Sequence, residues 1–403
     1  MGKAVAMARK SHDGPESPDS VGWTAARRVA LADPGRPFEL ESGGRLDHLE
    51  LEYETYGDLA PGRDNAVLVC HALSGDAHAA GWDREWETSG RRYRERKPGW
   101  WDTVIGPGKA VDTRRWHVIC ANVPGSCYGS TGPASIDPAT GRPHGLRFPF
   151  VTVGDWVRTQ AMLLDHLGIG RLHAVIGGSL GGQQALEWAL AFPERVGKAA
   201  ALAASARLSA QGLAFNAVGR YSIFHDPDFH EGDYYEVTHE GHHHHGLAAA
   251  RMLAHITYLS EEGMAEKFGR HTQSPDQRGP GYGFAPEFAV ESYLDHQGRA
   301  FVERFDANAY LYITRAMDYY DAAARWGEGD LAKAVERIRA QTLLASFSTD
   351  WLYPPAQCRE LALAMASAGK PVTYVDVPSR FGHDAFLVEV APVSRMLSGF
   401  LNA

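Results

Sequence analysis

Cysteine is scarce in this sequence, with four in 403 residues: Cys70, Cys120, Cys127 and Cys358. They lack metal-type spacing, and three sit in or beside apolar runs, so free thiols in a reducing cytoplasm are expected rather than a disulfide framework. Positive charge is also short. Forty Lys and Arg face 49 Asp and Glu, a formal net charge of −9, which argues against a general nucleic-acid binder. A modestly anionic small substrate remains compatible with that charge if one local pocket is basic. No apolar run reaches the roughly 18 residues of a membrane span, so no membrane partner is expected. Residues 1–35 mix charge and proline without a hydrophobic segment. They do not read as a secretory signal and are expected to form a poorly ordered arm. No internal repeat is present.

What remains is an ordinary globular composition, 44% apolar and 22% charged. Short apolar runs alternate with longer amphipathic stretches, the pattern of a mostly parallel sheet covered by helices. Strands are expected at Ala66–Cys70, His117–Ala121, Leu172–Ile176, Ala199–Ala203, Thr342–Phe347 and Val372–Val377. Helices are expected at Val153–Leu167, Gly181–Ala191 and Val393–Leu401, the last following Pro392. Strand signals fade between residues 206 and 325, where helical stretches such as Leu247–Leu259 and Ala307–Tyr320 take over. The expected organisation is an α/β core over 36–205 and 326–403, carrying a helical cap insertion over 206–325. Such a cap would cover the sheet's C-terminal edge, where open α/β sheets bind ligands. An independent helical domain is the alternative.

Gly177-Gly178-Ser179-Leu180-Gly181 matches G-x-S-x-G between an apolar strand and a helix. A strand-to-helix turn this sharp strains the serine backbone, and side chains two residues away on either side would strike neighbouring backbone. It also aims a helix N-terminus at the serine, where free N–H groups can stabilise an oxyanion. The α/β-hydrolase fold then predicts an acid and a histidine later in the chain, in that order. Asp350 follows one expected strand, and His383, in Gly382-His383-Asp384, follows the next. Ser179 is therefore read as nucleophile, His383 as its base and Asp350 as the group that orients the base. An N-capping Asp and a packed loop His are the bland readings of the last two. The backbone N–H groups of Leu73, in His71-Ala-Leu-Ser-Gly75, and Leu180 are read as the oxyanion hole.

These residues carry a family resemblance from about residue 36 onward. Shared stretches include Ala66-Val-Leu-Val-Cys-His-Ala-Leu-Ser-Gly75, Gly99-Trp-Trp-Asp102, Ile105-Gly-Pro-Gly-Lys109 and Gly177-Gly-Ser-Leu-Gly-Gly182. Ala214-Phe-Asn216, Ala250-Arg-Met252, His255-Ile-Thr-Tyr-Leu259, Phe305-Asp-Ala-Asn308 and Gly382-His-Asp-Ala-Phe386 continue it. In these the chain resembles the homoserine O-acyltransferases of methionine biosynthesis. The resemblance implies acyl transfer from acetyl-CoA or succinyl-CoA to L-homoserine through an acyl-Ser179 ester, with no permanently bound cofactor and no metal. It implies Arg220 and Asp384 as substrate-binding residues with Tyr234 or Tyr235, and a homodimer formed through the cap helices. A zwitterionic amino acid suits a cation and an anion of this kind. Acetyl is the expected acyl group, because the apolar Leu352 stands where a succinyl-using relative would be expected to carry a cation. Gly178-Ser179-Leu180 and Leu208-Ser-Ala-Gln211 resemble the succinyl branch instead.

His239-Glu240-Gly241-His242-His243 formally matches the zinc-protease pattern H-E-x-x-H. Gly241 sits mid-motif and Ala249 replaces the expected third ligand, so the segment is read as a solvated His-rich loop. Trp100, Trp101 and Lys109 belong to the shared stretches but acquire no role from sequence. A plain serine esterase, which would let water attack, and a zinc peptidase remain the competing classes.

Overall fold

Fully apolar runs make the centre of the sheet. The computed structural model describes residues 14–237, 244–273 and 282–403. In it eight strands form one sheet: β1 (Arg27–Ala32), β2 (Leu49–Tyr56), β3 (Ala66–Cys70), β4 (His117–Ala121), β5 (Leu172–Gly178), β6 (Val196–Leu202), β7 (Gln341–Phe347) and β8 (Val372–Val377). Their order is β8-β7-β6-β5-β3-β4-β2-β1. The pairs from β8 across to β4 are parallel, and β2 and β1 join antiparallel. All five residues of β3 are buried, as expected of a strand covered on both faces.

Flanking helices pack where their caps and apolar faces allow. Thr152 caps α1 (Val153–His166): its Oγ1 accepts the Asp155 N–H, and the Asp155 carboxylate accepts the Thr152 N–H in return. Helix α2 (Leu180–Ala191) is buried along nearly its whole length behind β5. After β6 the chain leaves the sheet for α3 (Ala210–Phe224), α4 (His245–Tyr258), α5 (Glu261–Phe268), α6 (Ala289–Val302) and α7 (Ala307–Tyr319). The two ends of this excursion are stitched together, with the Ala322 N–H donating to the Ala206 carbonyl at 2.9 Å. Two short helices, Ala322–Gly327 and Leu331–Val335, lead back to β7, and α8 (Pro355–Ser367) and α9 (Val390–Asn402) complete the fold. Ile223, Leu247, Phe301 and Ile313 belong to the same buried cluster as Leu68 and Trp156. The helical segment therefore shares the sheet's core.

The structure differs from the expected N-terminal arm. Residues 1–13 lie outside the described residues, but Trp23–Thr24 pairs in parallel with Trp82–Asp83 and Arg27–Ala32 is the edge strand β1. Val29 and Ala32 are buried, while Arg28 bonds Glu52 on β2. The arginines hid a strand that exists only through its antiparallel partner. Pro392 lies inside the first turn of α9 rather than before it, where its missing N–H has no helical acceptor to lose.

Candidate active site

The turn between β5 and α2 places Ser179 at φ 57° and ψ −127°, a conformation costing on the order of 1–3 kcal/mol for a residue with a side chain. Two glycines make the turn possible. A Cβ on Gly177 would lie 2.3 Å from the Gly181 backbone, and one on Gly181 would lie 2.1 Å from the Cys70 carbonyl oxygen. Leu180 opens α2, so its N–H has no carbonyl one turn back within the helix.

Asp350 follows β7 and His383 follows β8, at the same end of the sheet as Ser179. His383 Nδ1 lies 2.7 Å from Asp350 Oδ2, and His383 Nε2 lies 2.8 Å from Ser179 Oγ. An ionised carboxylate can only accept, so Nδ1 carries the proton and Nε2 accepts from the serine hydroxyl. Asp350 Oδ1 takes the backbone N–H groups of Leu352 and Tyr353 at 3.0 and 2.8 Å, which fixes the carboxylate. The Tyr353 ring stacks on the imidazole with centroids 5.1 Å apart. Ser179, Asp350 and His383 are all buried.

The loop after β3 is bolted down by side chains that the sequence reading did not single out. His71 Nδ1–H donates to the Ala72 carbonyl at 2.8 Å, leaving Nε2 to accept the Val123 N–H. Burial depresses its pKa, in keeping with this neutral role. Arg94 spans two carboxylates, with 2.6 Å to Asp76 and 2.7 Å to Asp83. These bonds hold the Asp76 carboxyl down at about 2 against its burial. Trp100 Nε1 donates to the Asp76 carbonyl at 2.9 Å, and Trp101 is fully buried beneath Trp100. Lys109 is no mere surface charge, because its Nζ lies 3.0 Å from Asp102, whose other oxygen accepts the Gly81 N–H.

Above the serine lies a cavity of about 350 Å³ between this loop and the cap. Leu73 and Ser179 line it, with His383, Asp384 and two arginines from the cap, Arg251 and Arg304. Asp384 is brought to the cavity as expected; burial raises its pKa against the opposing pull of His383, Arg251 and Lys267. His255 also lines the cavity, and burial pushes its pKa down to about 3, so it is neutral.

Other predicted residues lie elsewhere. Arg220, on α3, is buried and pairs with Asp318 at 2.5 Å, while its Nη1 is buried without a partner. The Tyr234 and Tyr235 hydroxyls both donate to Asp306, the N-cap of α7. Neither tyrosine lines the cavity. Leu352 packs against the core cluster and is also absent from the cavity wall. The segment His239–His243 lies outside the described residues. Among the described residues, no group of three or more His, Cys, Asp or Glu is arranged to hold a metal ion, and no helix is long and apolar enough to cross a membrane. Arg251 and Arg304 were missed, although Ala250-Arg-Met252 and Phe305-Asp-Ala-Asn308 mark their neighbourhoods; nothing local distinguishes them from solvated helix charges.

Sheet order and elbow define an α/β-hydrolase-fold protein, and the family model for the alpha/beta hydrolase fold matches residues 65–390. The chain is 49% identical over 365 residues to a homoserine O-acetyltransferase of Methanosalsum zhilinae, covering 91% of this chain and 71% of the relative. It is 51% identical over 386 residues to a homoserine O-succinyltransferase of Laribacter hongkongensis, covering 95% and 97%. The crystal structure of a homoserine O-acetyltransferase from Bacillus anthracis superposes with a TM-score of 0.82 at 26% identity, covering 94% of this chain and 98% of the other. This chain belongs to the homoserine O-acyltransferase family.

Proposed function

We propose that the protein transfers an acyl group from acyl-CoA to L-homoserine through an ester on Ser179. The observation that carries this reading is the unbroken chain from Asp350 through His383 to Ser179 at the base of a cavity holding both an acidic and a basic wall. Ser179 Oγ attacks the thioester carbonyl as its proton passes to His383 Nε2. The Leu73 and Leu180 N–H groups stabilise the tetrahedral oxyanion. Collapse breaks the C–S bond, and the departing thiolate takes the proton from His383. The homoserine hydroxyl then gives its proton to the same nitrogen and attacks the ester; the second collapse frees O-acylhomoserine and returns the proton to Ser179. Asp384 receives the substrate ammonium. The family resemblance assigns its carboxylate to Arg220, which lies on α3 outside the cavity lining and has its Nη1 buried without a partner. Tyr234 and Tyr235 act by anchoring Asp306 and so the start of α7, not by touching substrate.

The acyl group we favour is acetyl, since Leu352 adds no cation beside Asp350. Succinyl is the second reading, favoured by the guanidinium groups of Arg251 and Arg304 in the cavity. A homodimer through the cap is supported by Leu213, Val218, Tyr221 and Phe224, apolar side chains exposed along α3. The four free cysteines support a reducing, cytoplasmic setting.

The test follows thiol release and product mass with acetyl-CoA or succinyl-CoA, with L-homoserine, L-serine or water as acceptor. Homoserine-dependent release is expected, faster with acetyl-CoA. Release without a homoserine requirement would instead mark an esterase, and activity lost on chelation but kept in Ser179→Ala would mark a zinc peptidase.

A further inference from the structure

Two cations in the cavity wall make no direct ion pair; Asp384 acts on Arg251 and Asp76 on Arg304 only at longer range. Arg251 comes from α4, and Arg304 lies just beyond α6. Their guanidinium carbons lie 4.5 and 5.1 Å from the centroid of one ring, that of Phe301. Among the described residues, neither makes an ion pair with a carboxylate. Arg304 Nη1 is occupied by neutral acceptors, the Tyr128 hydroxyl at 2.7 Å and the Ser74 carbonyl at 3.0 Å. Arg251 Nε is buried without a partner. Aromatic faces offset only part of the desolvation of a guanidinium, and two like charges on one ring repel. Both arginines line the cavity, and an anion there that reached both guanidinium groups would relieve both costs.

Among the described residues, no carboxylate of the cavity pairs directly with either arginine. The lining carboxylates are Asp76 and Asp384. Asp76 is held by Arg94, and Asp384 is the group assigned to the substrate ammonium. The acceptor brings a single carboxylate, assigned to Arg220 on another helix. The remaining anionic chemistry belongs to the donor. Building on the acyl-CoA reading, we infer that Arg251 and Arg304, bridged by Phe301, form an anion clamp for the acyl donor. The clamp takes a phosphate of CoA or the distal carboxylate of a dicarboxylic acyl group.

Four donors separate these sources: acetyl-CoA, succinyl-CoA and the corresponding phosphate-free pantetheine thioesters. Each is assayed with homoserine on the unmodified chain, Arg251→Gln and Arg304→Gln. If the clamp holds phosphate, the preference for CoA over pantetheine thioesters, as a ratio of kcat/KM, falls roughly tenfold in each variant. If it holds the distal carboxylate, the succinyl-over-acetyl preference falls by about the same factor. Ratios that stay within about twofold of the parent's in both variants would overturn the clamp. Arg304→Gln can also disturb Ser74, so a further measurement uses the unmodified chain alone. There, raised ionic strength should weaken inhibition by free CoA, or by succinate, but not by pantetheine; no salt effect on either anion overturns the proposal. Failure of the acyltransferase reading itself would look different, as absence of homoserine-dependent turnover in the unmodified chain.

Discussion

The Ser179–His383–Asp350 chain and the helical cap above it are built on opposite principles. On the sheet side, the side chains of Ser179, His383 and Asp350 bond to one another or to backbone, and none leaves a buried polar atom unpaired. On the cap side, Arg220 Nη1, Arg251 Nε and His255 Nε2 are buried without partners. On the proposed function, the contrast separates chemistry from recognition. Groups that move protons are set in place before substrate arrives, which lowers the reorganisation needed during reaction. Groups that recognise charge are left incomplete, and the ligand completes them. Unsatisfied buried charge is costly, so the cap side stores a cost that only the correct ligand removes.

The sharpest way to break this comparison is at the sheet side. Ser179→Ala should lower kcat for thiol release by on the order of 10⁶-fold, with little change in melting temperature, since the change removes one hydroxyl bonded to His383. Retained turnover would remove the sheet wall from the chemistry. Next is Asp350→Asn, which keeps an acceptor for the Leu352 and Tyr353 N–H groups but can favour the wrong imidazole tautomer. A loss of roughly 10⁴-fold in kcat is expected, and a loss below about tenfold would show that His383 is oriented by its packing alone.

At the cap side the expected effects are smaller and of another kind. Arg220→Gln should lower kcat/KM for homoserine by about 100-fold or more, the scale of a lost charged contact together with its disturbed pocket. It should leave the burst of thiol from the first half-reaction largely intact. Asp318 would lose Arg220 but keep Arg315 and Asn216, so stability should drop by about 1–3 kcal/mol, visible in urea unfolding. Equal losses in burst and turnover would place Arg220 in the general architecture rather than in acceptor binding.

The same division explains what could be read from sequence. Ser179, Asp350 and His383 were legible because strand ends impose order and spacing, and the elbow needs glycine at 177 and 181 for steric reasons. Strands β3 to β8 announced themselves as apolar runs. Strand β1 did not, because Arg28 makes sense only beside Glu50 and Glu52 on β2. Arg251 and Arg304 were illegible for a similar reason. Their meaning comes from sharing Phe301 across two cap helices, and helical periodicity cannot tell a clamped cation from a solvated one. Tyr234 and Tyr235 rested on the family resemblance alone, and the contact the structure adds, with Asp306 taking both hydroxyls, has no signal in the sequence.

The smallest effect tests the recognition of charge through pH, at Asp384 beside His383. Burial raises the Asp384 pKa above the ordinary aspartate range. In the free protein the carboxylate is therefore disfavoured relative to an exposed aspartate, and the stability contributed by the protonated form is lost as pH rises through that pKa. Homoserine requires the opposite, since only the carboxylate attracts its ammonium. As pH falls through the raised pKa, kcat/KM for homoserine should decline in addition to any loss from protonating His383. Hydrolysis of the acyl-enzyme by water depends on His383 but has no ammonium to bind, so it should lack this extra acid limb. Asp384→Asn should abolish the difference between the two profiles and lower kcat/KM for homoserine by about 10-fold to 100-fold near pH 8. Superimposable profiles in the unmodified chain would mean that Asp384 shapes the cavity without reading the ammonium, leaving the cap's recognition to its cations alone.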